Sequence, residues 1–227
     1  GWRTMYYIAS ALMICCLFIV RKTLPEMPSN FKGTYKGLMS SLLTLFASLP
    51  AIRIVSIRAA LCFGSFLTLW ACLAFKLSGA PFYAGNNIIG LLGLCGIAGA
   101  LTASFVGSYV RKCGVRNLNY IGDALMILAW IIMLVLQDYY IGFIIGIIII
   151  DIGMQCVQIS NQTYALSLAP QAANRANTIF MTTYFIGGSI GTFLAGSSWH
   201  LMNWNGVVFT GIGLVICSLC ITLFSKH

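Results

Sequence analysis

Charged residues are scarce in this sequence, and acidic residues are the scarcest of them. Charged side chains make up 7% of the 227 residues, and Asp and Glu together number 4 against 13 Lys and Arg. Soluble domains carry about one quarter charged residues, so a water-exposed surface over the whole chain is excluded. Hydrophobic residues instead make up 59% of the chain. The composition therefore predicts a membrane protein.

The excess of basic residues does not indicate a nucleic-acid partner. A nucleic-acid interface requires a basic patch or stripe, and the net charge of +9 alone would be compatible with one. Here, however, the Lys and Arg residues lie in short loops at the ends of apolar segments, as membrane topology requires. We therefore expect the lipid bilayer, and no nucleic acid, as a partner.

Sequence motifs of common enzymes and metal proteins are also missing. The chain contains no HExxH motif and no P-loop, which argues against a zinc protease and a P-loop ATPase. Nine cysteines are scattered through apolar segments, a pattern that favours helix packing over a disulfide or zinc framework. We therefore expect a protein that is not an enzyme and that has no cofactor and no metal.

Long apolar segments predict an all-α protein that crosses the membrane about seven times. Each segment has roughly the 17–25 residues that a helical span requires. Residues 21–53 differ from these segments because they contain three prolines and several basic residues, and they form a predicted connector. The predicted spans are residues 4–20, 54–75, 84–108, 118–136, 140–163, 177–198 and 205–224.

The connector contains one predicted amphipathic helix. Apolar residues recur at helical spacing from Tyr35 to Phe46, opposite Lys36 and several hydroxyl side chains. A helix with this pattern lies at the membrane surface or beneath a helix bundle. The apolar positions are Tyr35, Leu38, Met39, Leu42, Leu43 and Phe46.

Basic residues cluster on one side of this seven-span scheme. Only Arg3 and Lys76 fall on the other side. The positive-inside rule therefore places the first residue outside and the carboxyl terminus in the cytoplasm. The residues on the basic side are Arg21, Lys22, Lys32, Lys36, Arg53, Arg58, Arg111, Lys112, Arg116, Arg175 and Lys226.

A polar face runs along the fifth predicted span. Its residues recur at i, i+4, i+7 and i+11 of an otherwise apolar helix, and they are Asp151, Gln155, Gln158 and Gln162. Asp151 lies roughly 16 Å into the span at about 1.5 Å per residue, close to the bilayer midplane. Lipid cannot solvate such groups, so this face must look into a protein interior or a wet cavity. For Asp151, proton coupling, cavity lining without coupling and structural pairing all remain open.

Two more charged residues lie about one helical turn inside predicted spans. Arg58 either snorkels to the cytoplasmic headgroups or contributes to a cavity. Asp123 lies near a basic loop, and a structural pairing with Arg111, Arg116 or Arg175 is preferred over a chemical role.

Small residues mark the predicted contacts between helices, because they let neighbouring membrane helices approach closely. The predicted packing positions are Gly90, Gly93, Gly96 and Gly99 in the third span, Gly142 and Gly146 in the fifth, and Gly187, Gly191 and Ala195 in the sixth. Another side of the sixth span carries hydroxyl groups and can be wet, at Thr178, Thr182, Ser189 and Thr192.

Three stretches of the chain carry a family resemblance. They are LWACLAFKLSGAPFYAGNNIIGLLGLCGIAGAL, GSYVRKCGVR and DIGMQCVQISNQTYALSLAPQAANRANTIFMTTYFIGGSIGTFLAGSSWHLMNWNG. Together they resemble the carboxyl-terminal half of a bacterial major facilitator superfamily transporter, of the drug or sugar efflux type that exchanges cargo for protons. The resemblance covers essentially the whole chain.

This resemblance implies helices six to twelve of a twelve-helix protein. Residues 1–20 would be the last helix of the amino-terminal half, residues 21–53 the central cytoplasmic loop, and residues 54–227 the carboxyl-terminal six-helix bundle. The chain begins without Met, and we expect the missing amino-terminal half of the same protein as its partner. The expected location is the inner membrane of the cell.

Two loop motifs depart from the pattern of the family. In the first, Arg111 stands where the family has an acid, so the ion pair made by that acid is in doubt here. In the second, PQAANRAN at residues 170–177 has lost a Glu and an Arg. The resemblance implies that these loops gate the protein. The matching residues are Gly107, Lys112, Gly114 and Arg116 in the first motif and Arg175 in the second.

The function implied by the resemblance is secondary active efflux of a small drug-like or sugar-like molecule, with protons as the coupling ion. Two six-helix halves would rock about a site at the bilayer midplane. A membrane-embedded enzyme and a non-transporting structural or sensor protein are the alternatives. The expected substrate and proton pathway is lined by Asp151, Gln155, Gln158, Gln162, Thr178, Thr182 and Ser189, with Arg58 on the cytoplasmic side.

Overall fold

The computed structural model describes residues 2–25 and 34–225, without the side chains of Trp2, Ala98 and Arg111. Every element in these two ranges is a helix, as the apolar segments predict. The chain forms two compact units, Gly1–Leu38 and Met39–His227. The predicted positions Lys32 and Lys226 lie outside the described residues.

The first unit contains helix α1, Trp2–Thr23. It is apolar and long enough to cross a membrane from Arg3 to Thr23, which confirms the first predicted span. Arg21 and Lys22 occupy its last turn, where cations interact favourably with the carboxyl end of the helix dipole.

The predicted connector helix is α2, Tyr35–Ser48. Leu42 and Leu45 of α2, together with Leu49, pack against a small buried cluster centred on Ile52. Leu43, one of the predicted apolar positions, is instead 73% exposed. The helix is therefore confirmed, but the side that packs on the bundle is rotated toward Leu45.

The six-helix unit begins with α3, Pro50–Ser78, whose proline occupies the first turn, where its missing N–H costs nothing. The helices that follow are α4, Asn86–Leu92, α5, Ile97–Cys113, α6, Val115–Val135, α7, Tyr140–Leu168, and α8, Ala173–Phe224. The connections are short, and the one between α3 and α4, residues 79–85, is the longest of them.

The third predicted span has the length of a membrane helix, Asn86–Val110, but it is not a single regular helix. A 3₁₀ segment, Gly93–Gly96, separates α4 from α5. Short 3₁₀ segments inside a longer helix mark a locally tighter winding. Within the described residues, the predicted packing positions Gly90 and Gly93 have open space where a side chain would be, so they make no close helix contact in the six-helix unit.

Helix α8 holds two predicted spans, because it is broken near its middle. The apolar segment that contains it, Pro170–Phe224, has 55 residues, or roughly 80 Å at about 1.5 Å per residue, far more than one crossing requires. Met202 and Asn203 have non-helical backbone angles, and Asn203 has a φ of 49°. The hydroxyls of Ser198 and Thr210 bond across this break. The break separates a first arm, residues 173–201, from a second arm, residues 204–224.

The bundle is tightest where α3 crosses the first arm of α8. A Cβ on Gly191 would overlap the backbone of Gly64, and a Cβ on Gly187 would overlap the backbone of Ala60. The Thr68 hydroxyl also lies 3.1 Å from the carbonyl oxygen of Gly191. The predicted packing side of the sixth span is thereby confirmed, since only residues without a side chain allow this approach.

Candidate functional site

The polar face of α7 begins at Asp151, which is 7% exposed. The side chain lies against α5, where Gly99 has no side chain to occupy the space: a Cβ added there would lie 3.1 Å from the Asp151 Cβ. The carboxyl oxygen Oδ2 is buried and has no hydrogen-bond partner within the described residues. An acidic group is thus held inside an apolar helix without a compensating charge at contact distance in the described part of the chain.

The part of the same face nearer the carboxyl end of α7 contacts the first arm of α8. The Tyr184 hydroxyl donates to Gln158 Oε1 at 3.1 Å, and Gln162 Nε2 donates to Asn177 Oδ1 at 2.9 Å. Gln155, between Asp151 and these two glutamines, is partly buried. The structure therefore brings the four predicted residues of α7 onto one face, which lies between α5 and α8.

The hydroxyl side chains predicted to face this stripe lie on a different part of α8. Thr178, Thr182 and Ser189 are all exposed. The Thr178 hydroxyl donates to the carbonyl of Asn174, and the Ser189 hydroxyl donates to that of Phe185. In the six-helix unit the partners of the glutamines are Asn177 and Tyr184, and Thr178 and Ser189 bond to their own helix.

Arg58 is not at the membrane surface, and its side chain is 0% exposed. The snorkelling interpretation is therefore wrong. Its Nη2 donates to Asn161 Oδ1 at 2.9 Å, and Asn161 Nδ2 donates in turn to Asn119 Oδ1 at 2.7 Å. Arg58 on α3 is thus joined to α7 and α6 in the core of the bundle.

Asp123 has different partners from the predicted basic residues. Cys62 Sγ and Ser218 Oγ each donate to its Oδ1 at 3.2 Å, and the Arg58 guanidinium interacts with its charge. Arg116 instead donates from Nε to the Tyr120 hydroxyl at 3.1 Å. The side chain of Arg111 lies outside the described residues. Arg175 makes no ion pair with Asp123 among the described residues either, so the expected pairing of Asp123 with Arg116 or Arg175 is wrong.

Sequence reasoning missed three members of this buried network: Asn119, Asn161 and Ser218, all of which are 0% exposed. One feature of the sequence, the spacing of polar residues along α6 and α3, pointed to part of this network. Asn119 and Asp123 lie four residues apart on α6, as Arg58 and Cys62 do on α3, and such pairs share a helix face. Ser218 also has a polar neighbour four residues later, Thr222, whose hydroxyl donates to the Ser218 carbonyl at 3.1 Å. That spacing does not show that Ser218 contacts Asp123, which follows from tertiary packing.

The predicted gating loop joins α5 to α6 through one residue, Gly114. Its φ of 77° lies in the left-handed region that glycine adopts without steric cost. Lys112 and Arg116 are exposed on either side of it, and Lys112 Nζ lies 5.8 Å from the centre of the Tyr109 ring. Gly107 has open space around its Cα. Arg175, of the second motif, is partly buried near the start of α8.

Residues 187–191 read Gly-Gly-Ser-Ile-Gly, which matches the GxSxG pattern of serine hydrolases. That motif requires a sharp turn from a strand into a helix. Here the five residues lie inside α8, and Gly187 and Gly191 touch α3. The pattern therefore serves helix packing. Among the described residues, no three or more His, Cys, Asp or Glu side chains form a group able to hold a metal ion.

Comparison with known proteins connects this geometry to a family. Residues 1–192 match the model of the Major Facilitator Superfamily. Uncharacterized transporter YgaY of Escherichia coli O157:H7 is 34% identical over 221 residues, or 97% of this chain and 56% of that protein. A probable sugar efflux transporter of Haemophilus influenzae is 21% identical over 229 residues, or 100% of this chain and 56% of that protein.

A third relative is a probable transporter of Streptomyces coelicolor, 24% identical over 208 residues. The alignment covers 91% of this chain and 48% of that protein. The chain thus spans about half the length of the curated relatives it matches.

Proposed function

The chain belongs to the major facilitator superfamily, and we propose that it is the carboxyl-terminal part of a carrier that exports a small molecule in exchange for protons. It is a multi-pass membrane protein, and its described residues contain six apolar helical segments long enough to span a bilayer, one of them broken into two arms. The inner membrane and a cytoplasmic carboxyl terminus are part of the proposal, supported by the one-sided distribution of Lys and Arg.

The proposed carrier is completed by an amino-terminal half of the same protein. Residues 1–20 would close that half, residues 21–53 would form the central cytoplasmic loop, and residues 54–227 would form the second bundle. Coverage of about half of each relative supports this arrangement, at 56% for the Escherichia coli transporter. The exposed side of the α7 polar face is where the two halves would meet.

The observation that carries the proposal is the burial of the Asp151 carboxyl group without a hydrogen-bond partner for one of its oxygens. Its carboxyl group is 7% exposed, and its Oδ2 has no hydrogen-bond partner in the described part of the chain. A buried carboxylate without a partner is strongly disfavoured, whereas the protonated acid is neutral. Binding of a proton at Asp151 would therefore remove a buried charge, and release of the proton would require water or a bound cargo to replace it.

Alternating access would change the surroundings of Asp151 in the way that proton binding and release require. In the proposed cycle, the two halves rock about a site at the midplane, so that the polar face of α7 meets water first on one side and then on the other. Gln155, Gln158 and Gln162 would offer amide groups to a polar cargo. Arg58 is fully enclosed by the six-helix unit, which favours a role outside this pathway.

Drug-like and sugar-like molecules are the proposed cargo classes. One relative is named a probable sugar efflux transporter, and three glutamine side chains along one face suit a neutral molecule with several hydroxyl groups. The position of Asp151 beside them is equally compatible with a cationic cargo, since a carboxylate can exchange a proton for an organic cation.

The proposal is tested with the full-length protein in liposomes. We expect an imposed pH gradient to drive transport of radiolabelled lactose or of ethidium, the two probes for the two cargo classes. Asp151→Asn should abolish the response to the pH gradient, because the amide cannot gain or lose a proton. Asp138→Asn is the matched control, since Asp138 lies at the end of the bundle in an exposed pair with Lys76.

Gradient-driven transport that persists unchanged in Asp151→Asn would refute the coupling role of this residue. If the wild-type protein moves neither probe with or without a gradient, and a wider panel of sugars and organic cations also fails, the carrier function itself is wrong. A non-transporting structural or sensor protein would then be the better interpretation.

A further inference from the structure

We propose that the end of the bundle where α8 is broken holds a second binding site, whose ligand is a neutral sugar. The proposed function places cargo at the bilayer midplane, so this site goes beyond it. Binding of a sugar here does not require that the protein transports that sugar. A role as the last binding site of exported cargo would, by contrast, rest on the proposed function.

The site is a cavity of about 340 Å³, within the range of small-molecule sites. Three connections meet around it: the residues that follow α3, the turn between α6 and α7, and the break in α8 at Met202 and Asn203. The cavity lies at the opposite end of α6 from the predicted gating loop, since Gln137 follows the carboxyl end of that helix and Gly114 precedes its amino end.

The lining of this cavity differs from that of an apolar groove. Another cavity, between α3 and α8, is lined mainly by aliphatic side chains such as Ile57, Ile186 and Ile190. The cavity at the break instead carries an ammonium group, three side-chain amides and aromatic rings, from Lys76, Gln137, Asn203, Asn205, Phe75 and Trp199. Such a lining indicates a polar ligand that also has an apolar face.

The three amides at the cavity are free to bind a ligand. Gln137 is partly buried, and Asn203 and Asn205 are exposed. In the part of the chain that the structure describes, none of these side-chain amides is hydrogen-bonded to another protein group. Each amide offers both donors and an acceptor, and a hydroxyl group can use either, because it donates one hydrogen bond and accepts others. The amides therefore favour a ligand with several hydroxyl groups.

The charge at the cavity is balanced, which disfavours an ionic ligand. Lys76 Nζ lies 3.5 Å from Asp138 Oδ1, and the Lys76 side chain is 12% exposed. A phosphate that approached Lys76 would also approach the Asp138 carboxylate and be repelled by it, and an organic cation would be repelled by the ammonium group. A neutral ligand meets neither repulsion.

Aromatic rings give the cavity an apolar wall. The ring centres of Trp199 and Phe75 are 5.9 Å apart, at an angle of 40°, and Phe75 is exposed. Trp204, which also lines the cavity, is buried, and its indole N–H donates to the carbonyl of Met133 at 3.1 Å. The C–H face of a sugar ring packs well on an aromatic ring, whose face is electron-rich. The hydroxyl groups at the edge of the sugar are then left for the amides.

The backbone at the break supports a binding role for Asn203. Its φ of 49° and ψ of −138° lie in a region that glycine adopts freely and that is unfavourable for a residue with a side chain. A glycine would relieve this strain, but it would also remove one of the three amides. Strained residues of this kind cluster at sites that bind ligands.

The test follows the Trp199 ring in the full-length protein, labelled with fluorotryptophan and purified in a detergent without a sugar headgroup. Fluorine NMR resolves individual tryptophans, and Trp199→Phe identifies the resonance of Trp199 by its loss. We expect lactose to shift this resonance in a saturable way, with a dissociation constant on the order of 1 mM. Mannitol, which has hydroxyl groups but no ring, and inorganic phosphate should leave the resonance almost unmoved.

Matched substitutions separate the cavity from the rest of the bundle. Asn205→Ala and Gln137→Ala should each weaken lactose binding about fivefold, the loss expected for one neutral hydrogen bond. Asn117→Ala is the control and should leave binding unchanged. Asn117 is an exposed asparagine near the other end of α6, where it donates to the carbonyl of Cys113 at 2.9 Å. Melting temperatures show whether each variant is folded, and either cavity variant alone is sufficient for the test.

The site is refuted if lactose does not move the Trp199 resonance, or if mannitol or phosphate moves it as far as lactose does. It is also refuted if Asn117→Ala weakens binding as much as the folded cavity variants do. These outcomes do not depend on transport. A saturable shift in a protein that moves no lactose supports the site and removes only its role in export, whereas lactose transport without a shift refutes the site and leaves the carrier function intact.

Discussion

Gly99 on α5 leaves room for Asp151 on α7: a Cβ at position 99 would come within 3.1 Å of the Asp151 Cβ and 3.4 Å of its Cγ. The first distance is shorter than an ordinary van der Waals separation, and the second lies at its lower limit. The two helices can hold the carboxyl group between them because one of them contributes no side chain at this point.

We predict that Gly99→Val displaces the Asp151 side chain and reduces gradient-driven transport about tenfold or more. The physical reason is that overpacking forces side chains from their preferred rotamers, at a cost of about 1–3 kcal/mol. Gly90→Val is the control, since Gly90 has no neighbour within reach of an added Cβ. Equal transport by the two variants would show that the contact at Gly99 is not needed.

A second prediction concerns the crossing of α3 and α8. Gly191→Ala should lower the melting temperature of the purified protein by several degrees, because the new methyl group would overlap the Gly64 backbone and force the helices apart at a cost of about 1–3 kcal/mol. Gly196→Ala, in the same helix but with open space around the Cα, should be neutral or slightly stabilising. A melting temperature for Gly191→Ala equal to that of Gly196→Ala would contradict the close approach.

The third prediction concerns the break in α8. Asn203 has a φ of 49°, in a region that costs non-glycine residues energy. Asn203→Gly should therefore raise the free energy of unfolding by up to about 1 kcal/mol, and Asn203→Val should lower it, since a β-branched residue fits this region poorly. Thermal unfolding of the two variants in detergent measures both effects. A loss of stability in Asn203→Gly would mean that the Asn side chain itself holds the break.

The fourth prediction concerns water at the α7 polar face. In a variant without other reactive cysteines, Gln155→Cys should react with a membrane-impermeant maleimide from at least one side of the membrane. Ser218→Cys should not react, because position 218 is 0% exposed and lies in the buried network around Asp123. Failure of Gln155→Cys to react from either side would contradict an aqueous pathway along this face.

Periodicity predicted the helices and the polar face because both depend on spacing along one element. Asp151 and its three glutamines recur at a helical repeat, and the structure places them on one face of α7. The division between the sixth and seventh spans was also predictable, although the backbone there is only interrupted at Met202 and Asn203. The limits of α7 were less predictable, since the helix continues to Leu168, beyond the last strongly apolar turn.

The partners of buried charges could not be read in the same way. Arg58 and Asp123 lie 65 positions apart in the sequence, and their network also draws on Asn161 and Ser218 from two other helices. The sequence places basic loop residues near Asp123, whereas in the fold its hydrogen-bond donors are Cys62 and Ser218, from two other helices. Such convergence is decided by which helix faces pack together, and periodicity within a single helix carries no information about that.

The short connections within the six-helix unit have a practical consequence. A single glycine joins α5 to α6, four residues join α6 to α7, and two residues interrupt α8. A protease or an antibody therefore has little accessible polypeptide between residue 50 and residue 225. Inserted epitopes and reporter domains belong in the longest of these turns, around Gly79 to Gly85, where extra residues disturb the fewest helix ends.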